Sequence, residues 1–166
     1  QIIVNPINQT TYFARAEGTC NTTNCVSITI NTQDLSTQPT AIVPSANNIC
    51  PGDICLLSVS GGSLGTNATW EWYSISCGGT YLGTGSTITV SPNSTTDYYV
   101  RAEGTCNTTS CSALNLIVND LSTDPTTITP SSTSICAGDN VNLTAAGGVL
   151  GTGATYEWYS NSCSGT

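Results

Sequence analysis

Shifted against itself by 86 residues, the chain matches at 44 of the 80 positions that can be compared. RAEGTCNTT at 15–23 returns at 101–109, and DLSTQPT at 34–40 returns as DLSTDPT at 120–126. GTNATWEWYSISC at 65–77 returns as GTGATYEWYSNSC at 151–163. A period this long exceeds a solenoid unit, so each repeat is expected to be a domain. The frame predicts the C-terminal half of one repeat at 1–34, a whole repeat at 35–120 and the N-terminal half of the next at 121–166. Both ends then fall inside a repeat, as in an excerpt of a longer covalent array. The alternative is a subunit whose two halves complete each other between molecules by strand addition.

Within the whole repeat, short apolar-alternating runs are separated by turn residues every 8–15 positions, which predicts strands near 40–44, 54–60, 68–75, 80–83, 86–91, 96–103 and 111–118. The 29 Thr and 20 Ser favour this reading, because β-branched Thr suits strands and Ser competes with helical hydrogen bonds. Alternation turns Cys55, Leu57 and Val59 to one face, Trp70 and Trp72 to one face, and Tyr98, Val100 and Ala102 to one face. Seven short strands with a Trp on the third predict an all-β chain of tandem immunoglobulin-like β-sandwiches, head to tail. Trp72 and Tyr98 are the expected core anchors, with Trp158 and Tyr12 as their repeat equivalents; Asp97-Tyr98 resembles the tyrosine corner of that fold.

Nine cysteines in 166 residues, with no CxxC spacing, point to disulfides and an oxidising, extracellular setting rather than to metal. Chain direction in such a sandwich predicts Cys50–Cys77 at one end and Cys106–Cys111 across the last hairpin, with Cys136–Cys163 and Cys20–Cys25 as equivalents. Cys55 is left over; it aligns with Val141 and is expected as a buried free thiol, with an interchain bridge as the alternative. The linker between repeats is short, contains Pro125 and has no Gly run, so restricted bending is expected. Leu35 and Leu121, isolated in polar sequence, are the residues expected to dock at the joint.

The chemistry of catalysis is thinly represented. His and Lys are absent, which removes the commonest general base and the amine nucleophile. The Gly-rich runs at 61–66, 83–87 and 147–153 read as tight loops, since no helix follows to cradle phosphate. Asp34, Asp120 and Asp124 flank linkers but read as turn residues rather than a calcium set. No catalytic residue, cofactor or metal is assigned. A net charge of −8 argues against nucleic acid and anionic lipid as partners, and no apolar run is long enough to insert into a membrane. Tyr73, Tyr99 and Phe13 could form an exposed aromatic stripe for sugar or protein; cross-strand pairing is the competing account.

The runs ICPGD, GGSLGTNATWEWYSISCGG and GTGSTITVSPNSTTDYYVRAEGTCNTTSC resemble the immunoglobulin-like repeats of large secreted proteins in gliding and related Bacteroidota. The resemblance implies export through the type IX pathway, a cell-surface location and a role in an adhesin or gliding adhesin. Two readings follow from residues and resemblance together. In the first, each repeat is a rigid module of a stalk, filament or adhesin, and its partners are the neighbouring repeats. In the second, each repeat binds surface glycans or proteins through avidity, or acts as a spacer in a secreted enzyme.

Overall fold

The computed structural model describes residues 1–163 and is built of strands and turns. β1 (Thr10–Ala14) and β2 (Val26–Ile30) form an antiparallel pair. The whole repeat supplies β3 (Ala41–Pro44), β4 (Asn48–Ile49), β5 (Cys55–Ser60), β6 (Thr69–Ser74), β7 (Thr80–Thr84), β8 (Thr87–Val90), β9 (Thr96–Glu103) and β10 (Ser112–Val118). β11 (Thr127–Pro130) and β12 (Leu143–Ala146) form a second antiparallel pair. The structure repeats at the sequence offset: the Glu103↔Thr108 bridge has its counterpart in Glu17↔Thr22, and Thr37↔Ser63 in Thr123↔Val149.

Two sheets make the complete sandwich, one ordered β3-β5-β8 and the other β4-β10-β9-β6-β7. The alternation read from the sequence fills the space between them. Leu57 and Cys55 from the first sheet face Trp72, Val100, Ala102 and Leu116 from the second, and all six are fully buried. The Trp72 indole N–H donates to the Gly85 carbonyl at 2.8 Å, so its one polar atom is satisfied inside the core. Tyr98 is buried beside Cys55; burial raises its phenol above the ordinary value, the nearby Cys55 thiol adds to the rise, and a hydrogen bond with Thr96 opposes it. Cys55 is a buried free thiol, and its Sγ lies 3.6 Å from the Ala46 carbonyl.

One element was not foreseen in the sequence. β3 ends at Pro44, which has no N–H for the ladder, and the chain then crosses to the other sheet. There β4 runs parallel to the end of β10, pairing Asn48 with Ile117 and Ile49 with Val118. These two residues pair the C-terminal end of the β10 edge.

The structure corrects the core assignment outside the whole repeat. Trp158 is 47% exposed, whereas its equivalent Trp72 is fully buried, and Tyr12 is only half-buried. Within residues 1–163, β11 and β12 are the equivalents of β3 and β5 on the Trp158 side, and β1 and β2 those of β9 and β10 on the Tyr12 side, so each aromatic has only part of the sandwich around it. Val26, Ile28 and Ile30 on β2 are exposed for the same reason, and with Ile2, Val4 and Phe13 they line an apolar groove of about 330 Å³.

Candidate functional site

Two regions combine unusual local chemistry with a position the fold dictates: the outer face of the five-stranded sheet, and the ends of the sandwich where repeats meet. On the outer face, the turn joining β6 to β7 does not project from the end of the domain. Ile75 and Gly78 adopt φ of 74° and 80°, and these left-handed residues fold the turn back over the sheet. Beneath it, the Arg101 guanidinium lies 5.1 Å from the Tyr73 ring centroid, with Nη1 at 3.8 Å from Cys77 Sγ. Arg101 Nε and Nη2 donate to the Glu103 carboxylate at 2.8 and 2.7 Å, and the Tyr73 hydroxyl donates to the same oxygen. Tyr81 packs its edge against Tyr73 with centroids 5.8 Å apart.

This folded-back turn decides the disulfide. Cys77 is bonded to Cys111, with Cα atoms 5.9 Å apart. The expected Cys50–Cys77 and Cys106–Cys111 pairs are therefore corrected. The parallel β4–β10 pairing puts Cys50 at the opposite lateral edge of the sheet from the β6–β7 turn. Cys106 stands at the tip of the loop before β10, in a turn closed by the Gly104 N–H on the Asn107 carbonyl at 3.0 Å. Cys50 and Cys106 are exposed free thiols, as are their equivalents Cys136 and Cys20. Cys25 and Cys163, equivalent to Cys111 and Cys77, are also free and exposed, so neither the Cys20–Cys25 nor the Cys136–Cys163 expectation is met.

The hydrogen bond from Tyr73, with the adjoining Arg101, holds the Glu103 carboxyl below the usual carboxylate range, against a smaller opposing effect of burial. Burial raises the Tyr73 phenol, and the Glu103 hydrogen bond raises it further. A depressed carboxyl contributes stability that is present above its unfolded value and is lost as pH falls through its folded value. An acid titration of stability should therefore show a loss that begins as pH falls through the ordinary glutamate range and is complete only below the lowered folded value, and Glu103→Gln should flatten it. The group is partly solvated, so the expected size is about 0.5 kcal/mol, read from urea midpoints at pH 7 and pH 3. Tyr73 is buried under this cluster, and it pairs in register with Tyr99. Of the aromatic stripe, Tyr73 is thus buried and packed against Tyr81 with Tyr99 beside it in register, while Phe13 is exposed on a separate strand pair.

At the joint, the linker is absorbed into the folds on either side. The Asn119 N–H donates to the Ile49 carbonyl of the whole repeat at 2.8 Å. The next residue, Asp120, belongs to the following repeat: its N–H donates to Thr152 Oγ1 at 2.9 Å, and its carbonyl accepts the Thr152 N–H at 3.1 Å. The same lock precedes the whole repeat, where the Asp34 N–H donates to Thr66 Oγ1 and its carbonyl accepts the Thr66 N–H. Ser36 is buried there, exchanging two hydrogen bonds of 2.9 Å with the Asn107 side-chain amide. Gly65 is required at this point, because a Cβ would lie 2.2 Å from the Asp34 carbonyl oxygen. Leu35 and Leu121 do not dock: they are 64% and 62% exposed. Leu35 has the complete sandwich after it and Leu121 has it before, so neither side of a joint covers this position. The polar Asp–Thr and Ser–Asn contacts anchor the linker residues to the repeat that follows them.

Two face-to-face sheets, a short strand that switches between them and a central buried Trp define an immunoglobulin-like β-sandwich. Residues 37–119, half of the chain, match the family described as Ig-like domain CHU_C associated, and the chain belongs to that family. No curated protein matches the chain.

Proposed function

We propose that the chain is a structural repeat segment of an extracellular stalk, filament or surface adhesin, which extends from the cell and supports attachment or gliding. The observation that carries this reading is the joint. Asn119 is hydrogen-bonded into one repeat and Asp120 into the next, so no free residue lies between them. A joint without slack transmits orientation from one repeat to the next, which is what a projecting stalk requires; a binding module working by avidity gains from slack instead. The cysteine-rich, polar composition fits an oxidising exterior, and immunoglobulin-like repeats serve widely as spacers. The burial of Tyr73 weighs against the aromatic face as a sugar platform.

Insertion of Gly-Ser-Gly-Ser between Asn119 and Asp120 at every joint tests the reading. The expected outcome in electron micrographs of the full-length protein is a clear broadening of the bend angle between neighbouring repeats. An unchanged bend-angle distribution would show that the natural joint is already loose, and the stalk reading would fail.

A further inference from the structure

The two exposed thiols of the whole repeat lie beside the same structural position at its two ends. β4 and β10 run parallel with Ile49 opposite Val118, and the Asn119 N–H continues the ladder onto the Ile49 carbonyl. Cys50 is thus the next residue in register, opposite Asn119, at a strand spacing of about 4.8 Å. At the other end, Cys106 Sγ and Thr105 Oγ1 both donate to Gln33 Oε1, at 3.2 and 3.1 Å. Gln33 and Asn119 are the same position of the repeat, one period apart. Superposing the two ends sets Cys50 of one repeat and the Cys106-equivalent of the following repeat on either side of one linker residue.

From this we propose that Cys50 of each repeat and the Cys106 position of the next form a disulfide across the joint. The inference rests on the head-to-tail stacking argued above. The pair cannot close within one repeat. Cys50 lies beside the end of β10 and Cys106 precedes its start, so the seven residues of β10 separate them by about 23 Å, against the roughly 7 Å a disulfide permits. Both thiols recur in the second copy, as Cys136 and Cys20, whereas buried Cys55 is replaced by Val141. Among the described residues, Cys20, Cys50, Cys106 and Cys136 all have their joint partners at positions outside residues 1–163.

The bond forms by thiol–disulfide exchange with a protein disulfide oxidant. One thiolate attacks the oxidant's disulfide and takes one of its sulfurs into a mixed disulfide. The facing thiolate then displaces that sulfur. Two protons and two electrons leave the cysteine pair, and the oxidant departs as a dithiol.

The test is a non-reducing digest of the full-length protein, with free thiols alkylated first and cleavage after Asp and Glu. This separates Cys50, in peptide 35–53, from Cys106 and Cys111, which share peptide 104–120. The expected result is one cluster in which 35–53 is joined, through Cys50, to the 104–120 equivalent of the next repeat, which is joined in turn to the 72–97 equivalent of its own repeat through the Cys111 position. The denatured mass should be unchanged by reductant. Cys106→Ser in every repeat should make Cys50 fully alkylatable while the Cys77–Cys111 link remains. Recovery of Cys50 already alkylated in the unmodified protein would overturn the proposal. So would its continued protection in the Cys106→Ser variant, or a fall in mass on reduction, which places the links between chains. Imaging the same sample separates this failure from that of the stacking itself. Straight rods with free thiols refute only the cross-joint bond, whereas independently oriented beads refute the stacking beneath it.

Discussion

Trp72→Ala is expected to remove about 3–5 kcal/mol from the stability of the complete repeat, a large share of what a domain of this size possesses. The side chain is fully buried between the sheets, with Leu57 and Val100 among the residues of its cluster. Its removal leaves a cavity that two hydrogen-bonded sheets cannot collapse to fill, and it orphans the Gly85 carbonyl that the indole N–H satisfies. Trp158→Ala provides the internal control. Trp158 occupies the same place in the repeat but is half-exposed in this chain, so its loss should cost less than about 1 kcal/mol. Urea unfolding followed by circular dichroism distinguishes the two. Equal losses would mean that Trp158 is packed as Trp72 is, and that the flanking strand pairs are more complete than described.

Cys77→Ser comes next in size. The bridge to Cys111 closes a sequence separation of 34 residues, for which loop-closure entropy predicts about 3–4 kcal/mol of stabilisation. In a domain of this length that corresponds to a melting temperature lower by roughly 15–25 °C. Cys50→Ser should leave the midpoint of a single repeat within about 0.5 kcal/mol of the parent, since Cys50 is exposed and unpaired there. The two variants therefore discriminate between pairings. If Cys50→Ser were as damaging as Cys77→Ser, the bridge would run from Cys50 to Cys77 after all.

The strands of the whole repeat were legible because each has a half-buried face and a period of two. Leu57, Trp70, Tyr98, Val100 and Ala102 alternate with exposed or half-buried neighbours, Trp72 adjoins buried Tyr73 on the outer face, and turn residues bound each run. β4 was not legible: two residues carry no period, and only the Pro44 break before them hints that the chain leaves its sheet. The disulfide was misread for a related reason. Strand order sets which end of the domain a loop leaves from, but it does not set whether the loop then folds back. Here the positive φ of Ile75 turns Cys77 over the sheet face, and a β-branched residue gives no sequence warning of that conformation. The joint was read as restricted, but its contacts were assigned to Leu35 and Leu121 on hydrophobicity. The structure instead ties the linker to the repeat that follows it through Asp34, Ser36 and Asn107, with Asp120 as the equivalent of Asp34. Polar residues in a Thr- and Ser-rich chain have no pattern to distinguish those that lock a joint from those that face water.

The central claim is that neighbouring repeats are joined without slack, and the most direct measurement is the distribution of angles between adjacent repeats in electron micrographs of the unmodified full-length protein. The account predicts a narrow distribution about a single angle, the same at every joint. A broad distribution, with neighbouring repeats oriented independently, would contradict it.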